Sequence, residues 1–480
     1  MSEALRAELE RLRAEAAPLE PDAEARAAMA GAVFDHAQAF LGDLVEGPAN
    51  RPWGEAFRPP PGGEFGETSS DLGETLEWLG RAVDRPGITT ASGFFTGYVP
   101  GGGLFHSALG DFLAAASNKY AGFASAAPGA VRMENATCAW IARTVGYPEG
   151  AAGTLTSGGS MANLTAIVAA REARDEDGGG AVYLSRTAHY CIEKALRIAG
   201  RARAPRRLIP TDEHHRMRAD ALREALERDV ADGVRPWLVV ASAGTVDTGA
   251  VDPLADIANL CEEFGAWFHV DGAYGGLFRL CPEGRAVLGG LERADTIALD
   301  PHKTLFLPYG TGAAIARDGQ VLLDAFSASA DYIRPLGESE VGPSPGDLSP
   351  ELTRHFRALR LWLPLRLAGV AAFRAAQSEK IGLARYFHAR LSAMPGWEVG
   401  APPDLSIVAF RYRPSSGDAN DFNQRLLRRL QEEGRVFLSG TRIDGADWLR
   451  CAILSFRTHL SHVDETIDVL ARLAAALEGE

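Results

Sequence analysis

Trp267-Phe268-His269-Val270-Asp271-Gly272-Ala273-Tyr274-Gly275-Gly276 is the stretch on which the fold turns. It opens as a short apolar run, closes on a carboxylate and passes into small residues. A run of that length, bounded by glycine, reads as a strand buried on both faces. Comparable runs stand at 237–242 and 296–299, with a shorter one at 182–184. Between and around them, 160–175, 190–198, 218–229 and 253–264 carry helical spacing. Strands alternating with helices predict a mostly parallel sheet covered on both faces. Ligands of such sheets sit beyond the carboxyl ends of the strands.

Outward from this centre the texture changes. Residues 3–17 and 23–46 read as amphipathic helices, with Leu5, Leu9 and Leu12 on one face. The Pro/Gly-rich stretch 48–66 cannot be regular helix. Residues 337–350, rich in Gly, Ser, Pro and acids, read as a mobile loop. Residues 351–390 read as largely helical with a kink at Pro364. Strands at 406–412, 436–439 and 449–455, with helices at 421–433 and 463–477, make a small α+β domain. The expected division is a helical segment at 1–88, a large sheet domain at 89–375 and the small domain at 376–480.

The chain has 480 residues, 46% of them hydrophobic, and a net charge of -14 with a pI near 5.4. That acidity argues against nucleic acid or an anionic membrane as partner. Arg and Gly interrupt every apolar stretch before it could span a bilayer. The charged start, 1–20, does not resemble a signal peptide. Five scattered cysteines without metal-ligand spacing suit a reducing cytoplasm and argue against a disulfide framework or a Cys-based zinc site.

Four features carry chemistry. Lys303, in Asp300-Pro301-His302-Lys303, follows the strand 296–299; an amine desolvated there has a lowered pKa and becomes a Schiff-base candidate. A lone lysine at a strand end is more often exposed. Asp271 changes the balance: a carboxylate ending a buried strand needs a cation or several donors. A pyridinium nitrogen would serve, and Ala273 is small enough to admit a flat ring. Thr156-Ser157-Gly158-Gly159-Ser160 precedes a helix, so backbone amides and the hydroxyls of Ser157 and Ser160 can cradle a phosphate. The signatures of ATP and NAD loops are missing. His189 could stack on a ring or be a backbone-bonded core histidine; Thr245, in Gly244-Thr245, could touch a cofactor or begin a turn.

Taken in order, these pieces resemble the pyridoxal-dependent group II amino-acid decarboxylases, the family of aromatic-L-amino-acid, histidine and glutamate decarboxylases. The resemblance runs from about Phe94 into 354–370. It implies the type I fold of pyridoxal 5'-phosphate (PLP) enzymes: a large mostly parallel sheet, a small C-terminal α+β domain and N-terminal helices wrapping a second subunit. It implies that Lys303 carries PLP as a Schiff base, Asp271 pairs with the pyridine nitrogen, Ala273 packs on the ring and His189 stacks on its other face. Gly159, Ser160 and His302 would hold the phosphate, with Asp300 near them, and Thr245 would contact the ring. The expected reaction is decarboxylation of an L-amino acid in a homodimer with shared active sites.

Departures stand beside the likeness. Ala91-Ser92-Gly93 replaces a His and Pro common in relatives, Gly101-Gly102-Gly103 replaces larger side chains, and Asp300 stands where Asn is common. No tyrosine lies between Ile333 and His355, where relatives carry a loop tyrosine that protonates the decarboxylated carbon. Phe94, Phe95, Tyr98 and Tyr120 suggest aromatic walls, and Tyr98, Gly101 and Tyr120 are the candidate substrate contacts. An aromatic substrate is therefore expected over an acidic one, with Arg450 and Arg457 as the possible carboxylate binders. An aldehyde-forming decarboxylase and an aminotransferase are the alternatives.

Overall fold

The structure, a computed structural model, describes residues 2–175, 178–328 and 341–480. The chain divides into two compact units, Met1–Ser92 and Gly93–Glu480. The first holds α1 (Ser2–Glu15), α2 (Ala23–Asp43), β1 (Asn50–Arg51), α3 (Leu72–Leu79) and β2 (Gly87–Ile88), with β1 and β2 antiparallel. Asp22 caps α2 by accepting from the Ala25 amide at 2.8 Å, and Asp71 caps α3 by accepting from Glu74 at 3.0 Å. Between β1 and α3 the Pro/Gly-rich stretch forms only a 3-10 turn at Gly54–Phe57. No residue of α2 is buried, and Leu5, Leu9, Leu12, Met29 and Val33 all lie exposed.

The second unit opens with α4 (Phe105–Ser117) and α5 (Pro128–Val145). There follow β3 (Ala152–Thr156), α6 (Gly159–Arg174), β4 (Ala181–Ser185), α7 (Cys191–Ile198), β5 (Arg206–Ile209) and α8 (Ala219–Ala231). Next come β6 (Pro236–Ser242), α9 (Leu254–Phe264), β7 (Trp267–Gly272), α10 (Pro282–Val287), β8 (Thr296–Leu299), the single turn α11 (Pro301–Thr304), β9 (Gly312–Ala316) and α12 (Gln320–Phe326). The seven strands β3 to β9 form one sheet in the order β3-β9-β8-β7-β6-β4-β5. Pairs β5-β4-β6-β7-β8 are parallel, and only β9 runs against its neighbours.

Alternation along the central strands explains why they read as unbroken apolar runs. Val182, Leu184, Leu238 and Val240 pack with Ile167, Ile192 and Leu196 of α6 and α7 on one face. Tyr183, Val239, Ala241, Phe268 and Val270 pack with Leu222, Leu226 and Ile257 of α8 and α9 on the other. Each such buried aliphatic contributes roughly 1.5–3 kcal/mol.

α13 (Ala358–Ala368) and α14 (Val370–Ser392) follow, then β10 (Trp397–Val399), β11 (Ile407–Tyr412), α15 (Ala419–Glu433), β12 (Ser439–Ile443), β13 (Ala446–Ala452) and α16 (Leu460–Glu478). The last four strands make an antiparallel sheet, β10-β11-β13-β12. Pro364 sits inside α13, and the helical run breaks instead at Gly369, whose φ of 76° leaves the helical region. The strand expected at 436–439 belongs elsewhere: Phe437 bridges Phe95 in parallel, and β12 starts only at Ser439.

Candidate active site

A cavity of about 310 Å³ opens at the carboxyl ends of the large sheet. The segments following β3, β4, β6, β7 and β8 line it, and bring together Ser157, Gly159, Ser160, His189, Thr245, Asp271, Ala273, Asp300, His302 and Lys303. Residues up to 146 positions apart in sequence thus meet because parallel strands deliver their ends to one edge of the sheet.

Lys303 stands at the floor. Its Nζ is 2.9 Å from Asp300 Oδ2, three residues back on α11. Burial alone would depress the amine, but the charge and hydrogen bond of Asp300, with Asp271 beyond, hold its pKa above the ordinary lysine value. The expectation of an amine lowered by desolvation is therefore corrected: the acids around it, Asp300 first and Asp271 after it, together outweigh burial. His302 is 9% exposed, with Nδ1 2.7 Å from the Thr311 carbonyl and Nε2 3.7 Å from Asp300. Burial lowers its pKa.

Asp271 ends β7, and its Oδ1 accepts from the Ala273 amide at 3.1 Å. Its Oδ2 has the Cys191 thiol at 4.0 Å. His189 is partly buried; its Nδ1 accepts from the Cys191 amide at 3.3 Å, and burial lowers its pKa against the pull of Asp271. Thr245 is buried, and its hydroxyl closes its own turn, 3.0 Å from Thr248 Oγ1 and accepting from Ala250 at 3.2 Å.

At the start of α6, Gly158 has φ 154° and receives the Met161 and Ala162 amides on its carbonyl. The amides of Gly159 and Ser160 precede these first helical donors, so they point out of the helix end. A Cβ on Gly159 would lie 2.8 Å from Asp300 Oδ2 and 2.9 Å from Ala273 Cβ, so only glycine keeps this cradle open. Asp300 Oδ1 is buried with no hydrogen-bond partner. An anion-binding helix end, an acid ending β7 and an amine after β8, around one cavity, fit the phosphate, the ring nitrogen and the aldehyde of PLP.

Three expected substrate contacts do not line this cavity. Tyr98 is 58% exposed and Tyr120 is exposed near Phe123. Gly101 backs the site: a Cβ there would stand 2.1 Å from the His302 carbonyl oxygen. Phe94 and Phe95 are buried in packing, Phe95 against Phe437 at 5.4 Å. Arg450 is buried and donates to the Tyr98 carbonyl at 2.6 Å and to Val246, while Arg457 donates to the Gly102 carbonyl. Neither guanidinium lines the cavity. Of the loop expected at 337–350, residues 341–350 are anchored: Asn135 donates to the carbonyls of Val341 and Pro343, and Pro345 and Leu348 are buried. Its remainder lies outside the described residues, as does Tyr332, one residue before the window read as lacking tyrosine.

Other lining residues, Val99, Asn163, Cys191, Ser242 and Val246, were not anticipated. Cys191 had a legible signal, since it stands two residues after His189 at the start of α7. Val99 and Val246 had none, because both stand in irregular segments outside any strand or helix.

The sequence profile described as "Pyridoxal-dependent decarboxylase conserved domain" matches residues 80–413. An aromatic-L-amino-acid decarboxylase of Bacillus atrophaeus is 36% identical over 86% of this chain and 87% of its own. A phenylacetaldehyde synthase of Arabidopsis thaliana is 30% identical over 86% of this chain and 88% of its own. Among solved structures, Oryza sativa TDC with PLP and tryptamine superposes with a TM-score of 0.88 at 26% identity, covering 96% of this chain and 99% of that one. The matching profile and the PLP-bound structure make PLP the cofactor, and the chain belongs to the pyridoxal-dependent decarboxylases.

Proposed function

We propose that this enzyme decarboxylates an aromatic L-amino acid to the amine and carbon dioxide. The observation that carries the reading is the meeting of the Lys303 amine, the Asp271 carboxylate and the α6 N-terminus around one cavity. PLP supplies an electron sink for the pair left when carbon dioxide departs. Lys303 would hold the cofactor through its amine. Asp271 keeps a ring nitrogen protonated, because a neighbouring negative charge favours the cationic form. Gly159, Ser160 and His302 would hold the phosphate, and Ala273, His189 and Thr245 would contact the ring. Among the described residues that line the cavity Lys303 is the only Lys or Arg, which supports an uncharged side chain on the substrate over an acidic one.

A screen of the twenty amino acids for carbon dioxide release, with amine and peroxide measured in parallel, tests this. Preferential turnover of glutamate or aspartate overturns the substrate class. Aldehyde with equimolar peroxide supports the second reading, an aldehyde-forming decarboxylase, which the 30% identity to a phenylacetaldehyde synthase favours.

The working form in this reading is a homodimer in the cytoplasm. The exposed Leu5, Leu9, Leu12, Met29 and Val33 of α1 and α2 support a second copy as their cover. An active monomer in sedimentation at micromolar concentration overturns it. Five free, buried cysteines suit a reducing compartment, and no helix among the described residues is long and apolar enough to cross a membrane.

A further inference from the structure

One ring nitrogen of His189, the sulfur of Cys191 and a carboxylate oxygen of Asp271 all lie within 4.8 Å of one another on the cavity wall. A tetrahedral zinc-type ion, with bonds of about 2.0–2.3 Å, sets its ligand atoms roughly 3.3–3.7 Å apart. The Cys191–Asp271 pair, at 4.0 Å, needs to close by only a few tenths of an ångström. The cavity leaves room for a water as fourth ligand.

A buried chain of hydrogen bonds aims a donor at the sulfur. The Trp267 indole donates to Thr296 Oγ1 at 3.0 Å, and that hydroxyl lies 3.0 Å from His269 Nδ1. His269 Nδ1 also lies 3.2 Å from the Thr296 carbonyl, and its Nε2 lies 2.7 Å from Asn163 Oδ1. The other end of the same amide, Asn163 Nδ2, donates to Cys191 Sγ at 3.4 Å. An N–H directed at a sulfur favours the thiolate and is the outer-sphere support that metal-bound cysteines use. Sequence spacing could not reveal the set, since Asp271 stands 80 positions from Cys191.

We propose that His189, Cys191 and Asp271 bind a thiophilic divalent cation of the zinc class, in competition with the cofactor for the pocket. Binding forms a metal–sulfur bond and releases the thiol proton to solvent. The competition rests on the placement of the ring against Asp271 and His189; the metal site does not.

Cobalt(II) is the probe, added to the full-length chain stripped of cofactor. One equivalent is expected, with a thiolate-to-cobalt band that zinc and PLP each bleach. Cys191→Ser is expected to abolish the band and weaken cobalt at least tenfold while melting like the wild type. No band in the wild type, or equal affinity in Cys191→Ser, overturns the metal site. A band that zinc bleaches but saturating PLP does not overturns the competition, and with it the placement of the ring. The wild-type arms stand even where the variant does not fold.

Discussion

The ends of β7 and β8 lie side by side in the sheet, and each leads to an aspartate, yet the two carboxylates are kept differently. Asp300 is 2% exposed and has its cation built in, Lys303 Nζ at 2.9 Å. Asp271 is only partly buried and has an amide at 3.1 Å and a thiol at 4.0 Å. A buried charge is stable only with a partner. Asp300 therefore belongs to the protein's own chemistry, poising the amine, whereas Asp271 is set to receive a cation from outside.

The sharpest break of this comparison removes the amine they share. Lys303→Ala should abolish borohydride-reducible attachment of PLP and all turnover, read by absorbance and peptide mapping. Label on another lysine would sink the assignment. Next is Asp271→Ala. Removing one partner of a buried ion pair costs about 3–5 kcal/mol, which is roughly two to four decades in rate. The variant should still bind PLP but lose kcat by that factor. Turnover within tenfold of wild type would mean that the ring nitrogen finds its charge elsewhere.

Asp300→Asn should do less, and in another coordinate. With the carboxylate gone, burial dominates and the Lys303 pKa falls. The neutral amine is then present at lower pH, so the pH profile for PLP attachment should move toward acid. An unchanged profile would show that Asp300 does not poise the amine.

What the sequence disclosed follows the same division. Lys303 and Asp271 were legible because each closes an apolar run that burial on two faces makes continuous. β3 and β9 were not, because Ala-Gly-Thr-Leu-Thr and Gly-Ala-Ala-Ile-Ala are small. Their size has a cause: α6 lies close over the sheet, with Ala162 against Ala298 and Ala314. β5 hid behind Arg206 and Arg207, which an edge strand tolerates by pairing them with Glu193 and Asp229. Aromatic type says nothing of direction: Phe95 is buried and Tyr98 is exposed. Gly101 was read as a substrate contact, and its neighbour is the backbone of His302.

The smallest expected effect concerns the proton that completes the reaction. The stretch without tyrosine begins at Ile333, and Tyr332 stands immediately before it. Had the chain no phenol there, the carbanion would wait for His189 or water, and oxygen would have time to intercept it. His189 is a weak acid source at neutral pH, because burial lowers its pKa and leaves the ring mostly neutral. The two proton sources differ in a measurable way. If Tyr332 delivers the proton, air-saturated wild-type enzyme should give amine and carbon dioxide one to one, and Tyr332→Phe should divert part of the flux to aldehyde and peroxide, rising with dissolved oxygen. If His189 or water delivers it, the wild type should already form peroxide, and Tyr332→Phe should leave the ratio unchanged. Equal peroxide from both proteins removes Tyr332 from the reaction and returns the last step to the wall of the cavity where His189 stands.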